Sequence, residues 1–87
     1  MATRQSVEEY LQKAEDVFRY AKEQFSEAQK QEHYNDTEFT KAQQQLEETY
    51  QDLQHLSLSA NSQQREQLYR MGLQLQQIQN DMMLQEH

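Results

Sequence analysis

The sequence predicts an all-α fold, an antiparallel three-helix bundle built on a long coiled-coil-like helical hairpin. Between Val7 and Leu56 the chain carries one heptad register, and within each half of this stretch the seam residues recur at alternating steps of three and four, the spacing of an amphipathic helix. The two halves of this seam mirror each other, and its phase changes after Leu56. We predict one helical domain over residues 1–87, with helices at about 6–31, 36–56 and 62–85.

The first helix has a regular seam and a candidate start signal. Ser6 is followed three residues later by Glu9, which is the spacing of a capping box, and Thr3 with Ser6 is a weaker alternative. Three of the seam positions are alanine, so a neighbouring backbone can come close. The seam comprises Val7, Leu11, Ala14, Phe18, Ala21, Phe25 and Ala28.

A break in the seam predicts the first turn, although no Gly or Pro marks it. Glu32 and Asn35 occupy positions where a packed core would place apolar side chains. Asn35 can adopt the left-handed conformation or cap the next helix, and Asn35 with Glu38 repeats the capping-box spacing. Tyr34 is expected to cover this turn.

The second helix pairs with the first when the chain folds back between His33 and Tyr34. Five of the six layers then set a large residue against a small one, which lets two helices interdigitate without voids. The pairs are Ala28 with Phe39, Phe25 with Ala42, Ala21 with Leu46, Phe18 with Thr49, Ala14 with Leu53, and Leu11 with Leu56.

This pairing has a structural alternative. If helices 1 and 2 ran straight through residues 32–35, the same pairs would form between two chains in a domain-swapped antiparallel dimer. The pairing rule alone does not distinguish the closed hairpin from the swapped form.

A third helix follows the connection 56–61, where Ser and Asn are turn formers. Gly72 lies inside this helix and costs about 1 kcal/mol relative to Ala. We hypothesise that it lets a bulky neighbour approach, either Tyr10, Tyr50 or a partner chain. The new seam, which folds back on helix 2, comprises Leu68, Met71, Leu75, Ile78 and Met82.

Composition and charge exclude several classes of function. The net charge is −7, and a negative protein repels phosphate backbones, so we expect no binding to nucleic acid. The absence of cysteine excludes disulfides and thiolate metal sites. No apolar run has the length of a signal peptide or of a membrane span, so we expect a soluble, cytoplasmic protein with no membrane contact.

Catalytic motifs are absent from the sequence. Glu48, Asp52 and His55 lie on one side of helix 2 and could hold a divalent metal, but such an arrangement is expected by chance in an acidic helix. His33 and His87 are expected to be solvated. No Ser/His/Asp spacing and no glycine-rich phosphate loop is present. We therefore predict no catalytic residues, no cofactor, no metal and no small-molecule substrate, and a protein that is not an enzyme.

A possible partner surface lies on the outer face of helix 3, where Tyr69, Leu73 and Leu84 align. Scattered apolar surface residues are common, so the alternative is that they have no role. The Met82-Met83-Leu84 run adds adaptable apolar surface. Tyr10 and Tyr50 are expected to flank the packed seams, whereas Tyr20 and Tyr69 are expected to point away from them.

Sequence segments across the chain resemble a known family. The stretches KEQF-x-EA, QEHYND, LSANSQQREQLYRM and LQLQQ-x-QNDM are similar to those of small uncharacterised proteins from Bacillus-type bacteria, the YtzC-like proteins. The resemblance spans nearly the whole chain. It implies a cytosolic bacterial protein of unknown function and supplies no catalytic residues.

Three hypotheses for function follow. The first is a small interaction or regulatory module that binds another protein through a helical face. The second is a structural protein that self-assembles, either as a domain-swapped or as a side-by-side homodimer. The third is a metal-dependent activity at Glu48, Asp52 and His55.

Overall fold

Three α-helices form the computed structural model, which describes residues 4–32 and 37–85. Helix α1 spans Arg4–Gln31, α2 spans Thr37–Ser57 and α3 spans Ser62–Leu84. Each helix packs against both of the others, and the bundle measures 43 × 18 × 15 Å. The predicted all-α three-helix bundle is confirmed, with helix bounds within two residues of those expected.

Helix α1 begins at Arg4, so the prediction that Ser6 is its N-cap is wrong. Ser6 lies inside the helix, because Arg4 and Gln5 are good helix formers that extend it towards the N-terminus. The side-chain amide of Gln5 donates to the Glu9 carboxylate over 3.2 Å, so Glu9 supports the first turn instead of a capping box. The alternative cap Thr3, and the predicted roles of Tyr34 and Asn35, lie outside the described residues.

Helix α1 ends where the polar break predicted it. Glu32 has φ 53°, in the left-handed region, and its N–H donates to the Gln29 carbonyl over 3.4 Å. This conformation costs a residue other than glycine about 1 kcal/mol and cannot continue a right-handed helix. The helix therefore stops, and α1 packs against α2 of the same chain in the closed form of the hairpin.

The centre of the core contains one heptad line from each helix. The line from α1 is small, whereas those from α2 and α3 are large, and every member is at most 2% exposed. Larger α1 side chains such as Phe18 and Phe25 flank this centre and are half-buried against it. The three lines are Ala14, Ala21 and Ala28; Phe39, Leu46 and Leu53; and Leu68, Leu75 and Met82.

Two tyrosines link α1 to α2 by hydrogen bonds along one edge. The Tyr10 hydroxyl donates to the Asp52 carboxylate over 2.5 Å, and the Tyr20 hydroxyl donates to Glu38. Because the residue number rises on α1 while it falls on α2, these bonds require antiparallel helices. The prediction that Tyr20 points away from the seam is wrong, because its side chain is half-buried and packs against the core.

The connection between α2 and α3 is closed by a reciprocal cap. The Gln64 N–H donates to the Asn61 side-chain oxygen over 2.8 Å, and the Asn61 N–H donates to the Gln64 side chain over 3.0 Å. Ala60, immediately before the cap, is buried. A capping box of this kind satisfies two donors that a helix start otherwise leaves unpaired, so α3 has a fixed starting point.

The Tyr10–Asp52 bond predicts a pH dependence of stability. Burial, the hydrogen bond to Asp52 and the negative charges of Asp52 and Glu48 raise the pKa of the Tyr10 hydroxyl above its ordinary value. Its stabilising contribution is therefore fully present below about pH 10 and is lost as the pH rises towards the folded pKa. We expect Tyr10→Phe to cost about 0.5–1 kcal/mol at pH 8, and this difference to shrink above pH 10.

Urea unfolding of both proteins from pH 8 to pH 11.5 measures this difference. Tyr69→Phe, which removes an exposed hydroxyl, is the matched control. A Tyr10→Phe difference that stays constant over the whole range would contradict the assignment.

Candidate functional site

The large exposed apolar side chains of the described residues are concentrated in one part of the chain. Five large apolar side chains are exposed, and all belong to α3 or to the turn that precedes it. None of the described residues of α1 or α2 adds to this set. The five are Leu58 (82%), Tyr69 (66%), Leu73 (47%), Met83 (55%) and Leu84 (68%).

Most of this surface belongs to a single face of α3, which we call the α3 strip. Its members follow one another at steps of three or four residues, so they lie along one side of the helix, away from the buried seam. The predicted partner residues Tyr69, Leu73 and Leu84 all belong to it and are exposed. The strip comprises Arg65, Tyr69, Leu73, Gln76, Asn80 and Leu84, each of them exposed.

A groove of about 310 Å³ runs between α2 and α3 beside the strip. Tyr69 and Leu73 form part of its wall, together with Tyr50 from α2. The Tyr50 hydroxyl accepts a hydrogen bond of 2.9 Å from the side-chain amide of Gln54. The groove is lined by Tyr50, Leu53, Gln54, Ser57, Arg65, Leu68, Tyr69, Gly72, Leu73 and Gln76.

Gly72 allows the Tyr50 ring to approach α3. A Cβ atom at this position would lie 3.3 Å from Cε1 of Tyr50, which is closer than ordinary van der Waals contact. Of the three neighbours considered for Gly72, Tyr50 is the one that the structure places there. The glycine therefore contributes to the shape of the groove, since the Tyr50 ring packs against the position where a side chain would begin.

The α3 surface is electrically neutral in a protein of net charge −7. Helix α3 carries two arginines and two acids, whereas α2 carries four acids and one lysine. Arg70 pairs with Glu66 over 2.7 Å. Arg65, the only charged residue that lines the groove, forms no ion pair among the described residues. A cationic side chain is thus left available at one end of an apolar groove.

The candidate metal ligands do not form a site. Within residues 4–32 and 37–85, no group of three or more His, Asp or Glu side chains is arranged to hold a metal ion. Asp52 instead accepts the hydrogen bond from Tyr10. Glu48, Asp52 and His55 therefore give no support to a metal-dependent activity, and His33 and His87 lie outside the described residues.

Among the described residues, none of the three helices combines the length and the apolar character that crossing a bilayer requires.

Comparison with known proteins identifies the family. Residues 1–84 match the profile of the family described as a protein of unknown function (DUF2524). The chain belongs to this family. It is also similar to the uncharacterised protein YtzC of Bacillus subtilis (strain 168), with 60% identity over 85 residues that cover 98% of this chain and 94% of the relative. The resemblance to the YtzC-like proteins is thereby confirmed, and no solved structure gives a significant match.

The groove was not predicted from the sequence, although Gly72, which lines it, was predicted to have a close neighbour. The cost of Gly72 inside a helix indicated a close neighbour, but the role of Arg65 required knowledge of which residues α2 brings beside it. Arg65 precedes Tyr69 by four residues, a spacing that places both on one helix face.

Substitutions at Gly72 should separate helix propensity from crowding. Gly72→Leu should displace the Tyr50 ring and destabilise the protein by about 1–3 kcal/mol, because overpacking forces side chains out of their preferred rotamers. Gly72→Ala should change stability by less than about 1 kcal/mol, because its gain in helix propensity offsets the contact at 3.3 Å.

Urea unfolding measures both effects. Met83→Ala on the same helix, where the side chain is 55% exposed and lies outside the groove, is the control for a change of apolar surface. A Gly72→Leu protein as stable as the wild type would show that Tyr50 does not depend on the glycine.

Proposed function

We propose that this protein is a small interaction or regulatory module that binds protein through the α3 strip. One observation carries the proposal: most of the large exposed apolar residues lie on one face of α3, the helix that has no net charge. The cores of protein interfaces are depleted in charge and enriched in aromatic residues, methionine and arginine. The strip and the groove beside it provide Tyr69, Tyr50, Leu73 and Arg65 in this manner.

The scaffold suits such a role. A helix that is packed on two neighbours and capped at its start presents its outer side chains in fixed positions. Little conformational entropy then has to be lost when a partner binds. Binding is thus the proposed activity in place of catalysis, without a cofactor, a metal or a small-molecule substrate.

The proposed setting is the cytoplasm, with protein as the partner and with no role for nucleic acid or membrane. The negative charge of the chain repels phosphate backbones.

Self-assembly is the second candidate function, and the neutrality of α3 favours it. Two copies of a chain with net charge −7 repel each other at long range. Contact through α3, the helix with no net charge, would keep the acidic residues of α2 away from the partner's equivalent helix. A homodimer built side by side through this face is consistent with the closed hairpin.

Site-specific photo-crosslinking in living Bacillus subtilis cells tests the proposed function. A photoreactive phenylalanine analogue replaces Leu73 or Leu84 in the strip, and Glu23 on the exposed side of α1 in the control. We expect covalent protein adducts from the two strip positions and none from position 23. The adduct at position 84 should disappear when Leu73→Glu is added, because a charge would then lie within the contact.

The adduct mass shows which protein is bound. Twice the chain mass would indicate self-assembly, and any other mass would indicate a different partner. No adduct at either strip position, or the same adducts from position 23, would overturn the proposed function.

A further inference from the structure

We propose that the partner of the α3 strip is a second copy of this chain. The two α3 helices would lie antiparallel across a twofold axis that passes between Gln76 and Gln77. This inference rests on the proposed function and names its partner. It starts from the pattern of the strip, which becomes self-complementary when it is reversed.

The reversed strip places each of its own large side chains opposite a strip residue of the other copy. Tyr69 meets the partner's Leu84, and Leu73 meets the partner's Asn80. The twofold axis repeats both contacts, so Tyr69, Leu73 and Leu84 of each chain are covered at once. The same alternation of three and four residues that builds the intramolecular seams would build this one.

The centre of the contact is made of amides. Gln76 would face the partner's Gln77 near the axis, and a carboxamide offers both a donor and an acceptor to another carboxamide. Polar residues within a helical seam weaken the association but fix its register and the number of chains. Gln76, Gln77 and Asn80 therefore favour one antiparallel register over a loose apolar contact.

Charge supports the choice of a second copy. Helix α3 has no net charge, and its outer strip carries Arg65 as its one charged residue. Two of the acids of α2, Asp52 and Glu38, are directed towards α1 by their bonds to tyrosines. In the antiparallel register, Arg65 lies about one helical turn beyond Leu84, the last residue of the partner's α3, and its long side chain can extend back to that helix end. That end has no basic residue in its last turn and carries the negative pole of the helix dipole, which attracts a cation.

The contact between two α3 helices buries a small area, so the dimer is expected to be weak. One helix face against another buries less than the approximately 1,600 Å² of a standard interface. We therefore expect a dissociation constant in the micromolar range and a reversible monomer–dimer equilibrium. Light scattering on a concentration series should give 10.5 kDa at low concentration and twice this value at high concentration.

Engineered cysteines test the register, because the chain has no cysteine of its own. Three single-cysteine variants, Leu73→Cys, Gln76→Cys and Asn80→Cys, are oxidised alone and in pairwise mixtures. In the antiparallel register Gln76→Cys should cross-link to itself. Leu73→Cys and Asn80→Cys should cross-link to each other at least about 10-fold faster than to themselves, because each lies about 10 Å along the axis from its own copy.

Other outcomes overturn the inference. Self-cross-linking of all three variants would indicate parallel helices. Cross-linking no faster than that of the control Glu23→Cys on α1, with a mass of 10.5 kDa up to millimolar concentration, would show that no second copy binds. In that case cellular adducts at positions 73 and 84 with another protein would still support the proposed function, so the two failures can be told apart.

Introducing a charge into the strip provides an independent measurement. Leu73→Glu should raise the dimer dissociation constant at least about 100-fold, because it places an unpaired carboxylate within the contact. Gln12→Glu, at an exposed position of α1, is the matched control and should leave the dissociation constant within about threefold. Circular dichroism of both variants verifies that the helices remain formed. An unchanged dissociation constant in Leu73→Glu would exclude the α3 strip as the dimer contact.

Discussion

The bundle depends on the close approach of two helices to the alanine line of α1. Ala14, Ala21 and Ala28 are at most 2% exposed, although their side chains are only methyl groups. Such small residues can be covered completely only if α2 and α3 both come close to the α1 backbone. Their neighbours then fill the remaining volume, which is why α2 and α3 provide large residues at the equivalent heptad positions.

The same arrangement explains why α3 has a free apolar face. The part of the core that belongs to α3 is filled by Leu68, Leu75 and Met82. At one side of this seam, Gly72 allows Tyr50 to pack closely. Tyr69, Leu73 and Leu84 are not needed by this core and remain in contact with solvent. This exposed apolar line is the surface to which the proposed function assigns the binding of a partner.

The sequence predicts those parts of the fold that depend on local periodicity. Heptad spacing located the three seams, and the polar residue Glu32 located the end of α1. The N-cap of α1 was placed wrongly because Arg4 and Gln5 are good helix formers that extend the helix past Ser6, and the Gln5 amide takes up the Glu9 carboxylate that a capping box would use. Tyr20 was placed wrongly because its long side chain reaches Glu38 from the edge of the helix.

At the candidate site too, some features follow from helical periodicity and others depend on how the helices pack. Exposure of the α3 strip followed from its position opposite the buried seam, and Gly72 indicated a close neighbour. The groove itself, and the position of Arg65 at its end, depend on how α2 lies against α3. Helical periodicity gives the face of each residue, but it does not give the lateral placement of one helix beside another.

The central claim is that the three helices of one chain form the core around the alanine line of α1. Small-angle X-ray scattering, extrapolated to infinite dilution, tests this claim most directly. The closed bundle predicts a monomer whose radius of gyration is close to the 13.9 Å of its Cα atoms. A persistent dimer with a radius of gyration above about 20 Å would contradict it. That is the size expected if α1 and α2 formed one continuous helix of about 80 Å that exchanged partners between chains.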